Sequence, residues 1–240
     1  MRPTLNYAAM SRRAAMTAAA LATMALAACG GGGATGPAKG DMAMGAPEGA
    51  KVTVIEYASV TCPHCALWQT ETWPLFKATY VDTNKVRYVF RELPTAPIPV
   101  AVAGFMIARC AGDDKYFDVI HGIMASQAEW QAGVDPRDTL FRVGNGAGLS
   151  NQQIESCIQD EAGLKAADDR AKAAVAAGVD GTPTFLVNGK YRIKGKSQDD
   201  MLRILNQLIA AERARMGGAA PAAMPAPAPA AAPAAEPTQS

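Results

Sequence analysis

Apolar positions between residues 52 and 209 fall into two kinds of run. Val52 to Tyr57 (VTVIEY) is apolar on both faces, which suits a strand buried in the middle of a sheet. Val86 to Phe90 (VRYVF) alternates, as a second strand would. Between them an apolar, aromatic stretch runs to Tyr80, with Leu67, Trp68, Leu75 and Phe76. It predicts a helix that opens near Cys62, carries Pro63 in its first turn and is kinked by Pro74. Pro94, Pro97 and Pro99 make a rigid crossing, and helical patterns follow over 100–111, 115–126, 136–144, 151–160 and 164–177. Thr184 to Val187 reads as a strand, Asn188-Gly189 as a tight hairpin turn and Tyr191 to Ile193 as the returning strand. A last helix starts at Ser197, with Asp200 three residues on. It buries Met201, Leu202, Leu205, Leu208 and Ile209 and stops at Gly217. The order strand, helix, strand, helical block, hairpin, helix defines an α/β sheet domain interrupted by an all-helical insertion at about 97–178.

The two ends differ from this core in composition. Arg2, Arg12 and Arg13 precede a small-residue apolar run, Ala14 to Ala28, with no acid before Cys29. That is the form of an export signal, and a run so short and Ala-rich is a poor membrane span. Leu26-Ala27-Ala28-Cys29 resembles the bacterial lipobox, which implies a lipoprotein signal peptide over 1–28 and lipid on Cys29. The alternative is an ordinary signal cut at a nearby small residue. Gly30 rather than Asp at the next position resembles outer-membrane rather than inner-membrane retention. Residues 29–50 read as a flexible tether, with Met42 and Met44 as plain tether residues, and a tether of that length reaches roughly 25 Å. Residues 217–240 read as a disordered Ala/Pro tail. The folded part is therefore 51–216, enough for one core. Removal of 1–28 takes away three Arg and no acid, so a net charge of +1 becomes −2. No basic run supplies a footprint for nucleic acid, and none is expected as a partner.

Five Cys are too few for a disulfide-built miniprotein and enough for redox or metal chemistry. Cys62-Pro63-His64-Cys65 lies after a strand and opens a helix. Free N–H groups and the helix dipole there stabilise a thiolate on the first Cys. The second Cys is one turn on, within bonding reach. His64 adds a charge or a donor, and Pro63 stiffens the turn. Stabilising the thiolate also stabilises the dithiol, by about 30 mV toward an oxidising potential per unit of pKa lowering.

At these residues the chain resembles the DsbA family of thiol–disulfide oxidoreductases. Cys62-Pro63-His64-Cys65 is similar to that family's active site, and Gly181-Thr182-Pro183-Thr184 to its cis-proline loop. The helical insertion sits where the family carries its helical domain. The resemblance covers about 52–213 and implies a thioredoxin-like fold. It implies that Cys62 is the exposed, attacked sulfur and Cys65 the shielded one, and that Thr182 and Pro183 hold an extended substrate. It further implies a buried acid at Glu56, with a proton-relay role. Implied partners are exported proteins with Cys thiols and a membrane or soluble redox protein that resets the site. No cofactor is implied. Relatives with a second, non-catalytic disulfide imply that Cys110 and Cys157 pair, closing a loop worth roughly 4 kcal/mol. Two buried free thiols are the alternative.

Other readings of the same residues are weaker. Haem attachment needs His directly after the second Cys, where this chain has Ala66, and zinc needs two more ligands at short spacing, so no metal is expected. A structural 62–65 disulfide would gain little closure entropy. Pro183 could be an ordinary turn proline, and Glu56 could point to water, although it shares a strand face with Val52 and Val54. His121 reads as structural, and Trp68, Trp73 and Trp130 as core or groove residues. An oxidase is the leading reading. A reductase or isomerase of the same fold, or a non-catalytic surface lipoprotein, stays open behind it.

Overall fold

The structure is a computed structural model that describes residues 36–217. The segment expected to be a lipoprotein signal peptide, Cys29 and the Ala/Pro-rich stretch beyond Gly217 lie outside the described residues.

Five strands form one mixed sheet in the order β1-β3-β2-β4-β5. They are β1 (Met42–Gly45), β2 (Thr53–Ala58), β3 (Arg87–Glu92), β4 (Thr184–Val187) and β5 (Tyr191–Lys194). β2 runs parallel to β3, and the other pairings are antiparallel. β2 is central and buried on both faces, as its two-sided apolar pattern requires. One face carries Val54, Ala58, Tyr88, Phe90, Phe185 and Val187 into the main core. The other carries Ile55, Tyr57, Val89 and Leu186 against Ala174 and Val179.

The helix after β2 begins as α1 (Pro63–Leu67), passes through a π turn at Trp68–Thr72, resumes as α2 (Trp73–Phe76) and ends in a second π turn at Lys77–Val81. Pro74 has no N–H to offer in the first turn of α2, and the wider turn before it absorbs that loss. Trp73 N–H bonds back to the Trp68 carbonyl. The helical block comprises α3 (Ile98–Cys110), α4 (Asp113–Ala125), α5 (Gln127–Gln131), α6 (Pro136–Gly146), α7 (Asn151–Ile158) and α8 (Glu161–Ala176). α9 (Gln198–Arg215) starts where Ser197 Oγ accepts the Asp200 N–H, and Gly217 follows it at φ +71°. Its Met201, Leu202, Leu205 and Ile209 join the main core, as the sequence predicts.

The reading of 29–50 as a tether is corrected over 36–50. Met42–Gly45 pairs with the outer edge of β3, and Met42 is buried. Four residues reading MAMG show no alternation, so nothing local marks this strand. Its stability comes from distant partners. Asp41 binds Arg91 through both carboxylate oxygens at 2.7 and 2.8 Å, and Arg109 donates to the Gly40 carbonyl at 3.0 Å. Gly45 has φ +82°, and a Cβ there would come within 2.5 Å of the Val86 carbonyl, so no other residue fits.

A buried carboxylate ties the insertion to the sheet. Glu92, at the end of β3, is 3% exposed. It accepts from Arg109 Nε of α3 at 2.7 Å, Tyr116 OH of α4 at 2.9 Å and Arg170 Nε of α8 at 2.9 Å. Three helices thus converge on one charge. Cys110 at the end of α3 is bonded to Cys157 on α7, Cα to Cα 6.2 Å. Among the described residues no helix is long and apolar enough to cross a membrane.

Removing the Glu92 carboxylate strands two guanidinium groups. Glu92→Leu should cost about 3 kcal/mol in urea unfolding. Lys165→Ala, which breaks an exposed ion pair on α8, should leave the urea midpoint close to that of the wild type. Equal losses would refute the clamp.

Candidate active site

Two motifs about 120 residues apart in sequence meet because β4 runs antiparallel to β2. The Cys62 motif follows the end of β2, and Thr184, which opens β4, pairs with Tyr57 near that same end. Pro183 therefore comes up beside α1. The Thr182–Pro183 peptide is cis, and Thr184 Oγ1 donates to the Gly181 carbonyl at 2.6 Å, closing the loop on itself.

Cys62 occupies the N-cap of α1 with φ −83° and ψ 118°, and Pro63 stands in the first turn. The two Cys are in the reduced state. Cys62 Sγ accepts the backbone N–H of Cys65 at 3.3 Å, and its thiol faces the Thr182 carbonyl at 3.5 Å. The Cys62 pKa falls to about 6. The largest cause is the hydrogen bond from the Cys65 thiol. Burial works against it, while contact with Thr182 and the N–H groups of Cys65 and His64 lower it further. His64 thus acts on Cys62 through its main chain. Its side chain is exposed, and its carbonyl accepts from Gln198 at 3.4 Å.

Cys65 is completely buried, and burial followed by its contact with Cys62 pushes its thiol well above the ordinary range. The expectation of an exposed Cys62 is corrected, since it too is buried, at 5% exposure, so the two sulfurs differ mainly in how readily they ionise: Cys62 is favoured as a thiolate and Cys65 is held protonated. Glu56, on β2 six residues before Cys62, is also completely buried. Tyr88 OH, from β3, donates to its Oε2, while Oε1 has no hydrogen-bond partner. Burial raises the Glu56 carboxyl to about 8, the Tyr88 hydrogen bond opposes this, and the charge of Cys62 adds to it. Glu56 is thus neutral over much of the neutral range and can hold a proton beneath the sulfurs.

The sequence reading missed Tyr88. On β3 it alternates with Phe90 on the core face, and nothing in that pattern separates a core aromatic from one whose hydroxyl meets a carboxyl. The hydroxyls of Ser59, Thr61 and Thr95 were missed as well. Ser59 Oγ and Thr61 Oγ1 lie 3.0 Å apart, and Thr61 Oγ1 donates to the Thr95 carbonyl at 2.8 Å, which pins the loop before Cys62 to the β3–α3 crossing. His121 is half-buried against the rings of Trp73 and Phe117 at 5.4 and 6.1 Å, and desolvation lowers its pKa to about 4. Trp68 and Trp73 are core residues, and Trp130 packs against the core from its edge. Among the described residues no cluster of three or more His, Cys, Asp or Glu could hold a metal ion.

Comparison with known proteins agrees with this geometry. A family model described as thioredoxin matches residues 37–207, and the chain belongs to that family. A relative in Rickettsia bellii, named "Putative protein-disulfide oxidoreductase", is 32% identical over 159 residues, 62% of this chain and 57% of the relative. One of the same designation in Rickettsia typhi is 32% identical over 174 residues, 72% of this chain and 63% of the relative. The chain thus spans about three-fifths of the length of these relatives. The crystal structure of α-DsbA1 from Wolbachia pipientis superposes with a TM-score of 0.66 at 24% identity, covering 75% of this chain and 96% of that one. The likeness is one of fold: a thioredoxin-like sheet with a helical insertion.

The raised Glu56 pKa has a definite sign. A carboxyl that ionises at 4.5 in the unfolded chain and at about 8 in the folded one favours the unfolded chain progressively as pH rises from 4.5 to 8. Below 4.5 the penalty vanishes, and above 8 it is constant. In the reduced protein, Glu56→Gln should therefore gain stability over wild type across that window, on the order of 4 kcal/mol by pH 8. Urea unfolding at a series of pH values reads this, and a difference independent of pH would refute it.

Proposed function

We propose that this protein is a thiol–disulfide oxidoreductase of the cell envelope that introduces disulfides into exported proteins. The observation that carries the reading is the inequality of the two sulfurs: Cys62 is favoured as a thiolate and Cys65 is not, beside a cis-proline loop. The names of the Rickettsia relatives support the same class of activity.

In the oxidised enzyme a substrate thiolate attacks Cys62 Sγ. The Cys62–Cys65 bond breaks, and its electron pair leaves with Cys65. Buried Cys65 must take up a proton to stay neutral, and the Glu56 carboxyl is the candidate donor. Thr182 and Pro183 hold the substrate chain extended beside the mixed disulfide. A second substrate thiolate then attacks the substrate sulfur. The substrate disulfide forms, and Cys62 leaves as a thiolate. A thiolate with a pKa near 6 is a good leaving group at neutral pH, which drives the exchange toward substrate oxidation. A membrane or soluble oxidant then takes two electrons from the dithiol and resets it.

The lipobox at Leu26–Cys29 supports a lipid anchor on Cys29, and with Gly30 after it an outer-membrane site. Because β1 and Asp41 are bound to the sheet, the leash available to Cys29 ends at Asp41 rather than at residue 50. The domain is therefore expected to work close to the membrane surface.

Trapping the intermediate tests the reading. With a reduced, unfolded substrate protein, the oxidised wild type should form substrate disulfides. Cys65→Ala should accumulate a mixed disulfide through Cys62, and Cys62→Ala should accumulate none. A wild type that only reduces substrate disulfides would replace the oxidase with the reductase. A Cys65→Ala variant that forms no adduct would overturn both.

A further inference from the structure

The nucleophile's loop is held from a side that the mechanism has not used. Gln127 opens α5 in the helical insertion and is buried. Its side-chain amide nitrogen donates to the Val60 carbonyl at 2.7 Å and to the Cys62 carbonyl at 3.2 Å. Both partners are carbonyls, which only accept, so the amide can face them in one orientation alone and uses both of its hydrogens.

The Cys62 carbonyl has other claimants. It accepts the N–H of Cys65 at 3.1 Å and the N–H of Ala66 at 3.1 Å. The same Cys65 N–H also points at Cys62 Sγ, at 3.3 Å. One proton is therefore shared between a carbonyl oxygen and the reactive sulfur of a single residue. Whatever satisfies the carbonyl from elsewhere weakens its hold on that proton and leaves more of it to the sulfur. Gln127 is placed to do this. It also fixes the Val60 carbonyl, while the Ser59, Thr61 and Thr95 hydroxyls hold the loop from the β3–α3 side.

We propose that Gln127 is a positioning residue for the reactive sulfur: by donating to the Cys62 carbonyl it releases the Cys65 N–H toward Cys62 Sγ and so tunes thiolate stability from the helical insertion. The role rests on the redox reading of Cys62. It makes the insertion part of the electronic environment of the site, so that a shift of α5 against the 60–62 loop changes the reactivity of Cys62.

The test uses Gln127→Met, which keeps the volume and removes the donor, and Gln127→Glu, which keeps the shape and sets a carboxylate against two carbonyls. Each is read by a thiolate absorbance titration of Cys62 and by equilibrium with glutathione. Gln127→Met should raise the Cys62 pKa by about half a unit to one unit and weaken the oxidising equilibrium about 3- to 5-fold at pH 7. Gln127→Glu should shift both further in the same direction, and it decides the matter alone if Gln127→Met fails to fold. Glu129→Gln on the same helix, where the carboxylate pairs with Arg142 at 2.7 Å, should leave both at the wild-type values. Wild-type values in both Gln127 variants, or an equal shift in Glu129→Gln, would overturn this role while leaving the redox reading intact. A wild-type Cys62 titrating near 8.5 would overturn the redox reading, and this role with it.

Discussion

The site depends on where Cys62 Sγ is held, at the first turn of α1, facing first the Cys65 thiol and then the Cys65 N–H at 3.3 Å. This placement stabilises negative charge at a place the chain has otherwise made apolar. Cys65 and Glu56, the other two ionisable groups of the cluster, are buried where charge is costly, and both are held toward their neutral forms. A helix N-terminus alone would give one reactive thiol. Beside two neutralised neighbours, it gives a pair in which the direction of electron flow is set by which sulfur can carry charge.

That placement needs a fixed main chain, and most of the fold serves to fix it. β2 delivers Cys62 at its end, and the antiparallel β4 brings Thr182 and Pro183 to the same end. The loop between β2 and α1 is tied through its Ser59 and Thr61 hydroxyls to the Thr95 backbone of the β3–α3 crossing, and held by Gln127 from α5. The insertion in turn is locked to β3 by the three donors on Glu92. Rigidity is thus transmitted to the sulfur through buried polar groups, which have directional requirements that apolar packing lacks.

What could be read from the sequence follows the same division. The strands, the helical insertion, the hairpin and the N-cap of α9 were legible because each has a local signature: a two-sided apolar run, a period near four, Asn-Gly, a Ser three residues before an Asp. Cys62, Cys65 and Pro183 were legible because their chemistry needs those residue types at those places. β1 was not, because Met42–Gly45 has no pattern of its own and is held by β3, Arg91 and a glycine that only a neighbouring carbonyl requires. Tyr88 and Gln127 were hidden for a related reason. In sequence they are one aromatic on a core face and one polar residue at a helix start, and their partners lie 32 and about 65 residues away. Sequence periodicity reports which side of an element faces the core, not which polar atom waits there.

Folding stabilises the Cys62 thiolate, and the relative stability of the reduced and oxidised forms measures this directly. A cysteine whose folded pKa is about 6 contributes stability to the reduced form that is fully present above the unfolded thiol pKa and lost as pH falls through 6. The disulfide form has no such contribution. Urea unfolding of both forms from pH 5 to 9 should find the reduced protein the more stable at neutral pH, by a margin that grows with pH from about 6 to about 9 and fades below 6. An oxidised form that is the more stable throughout, or a margin that does not change with pH, would contradict the account.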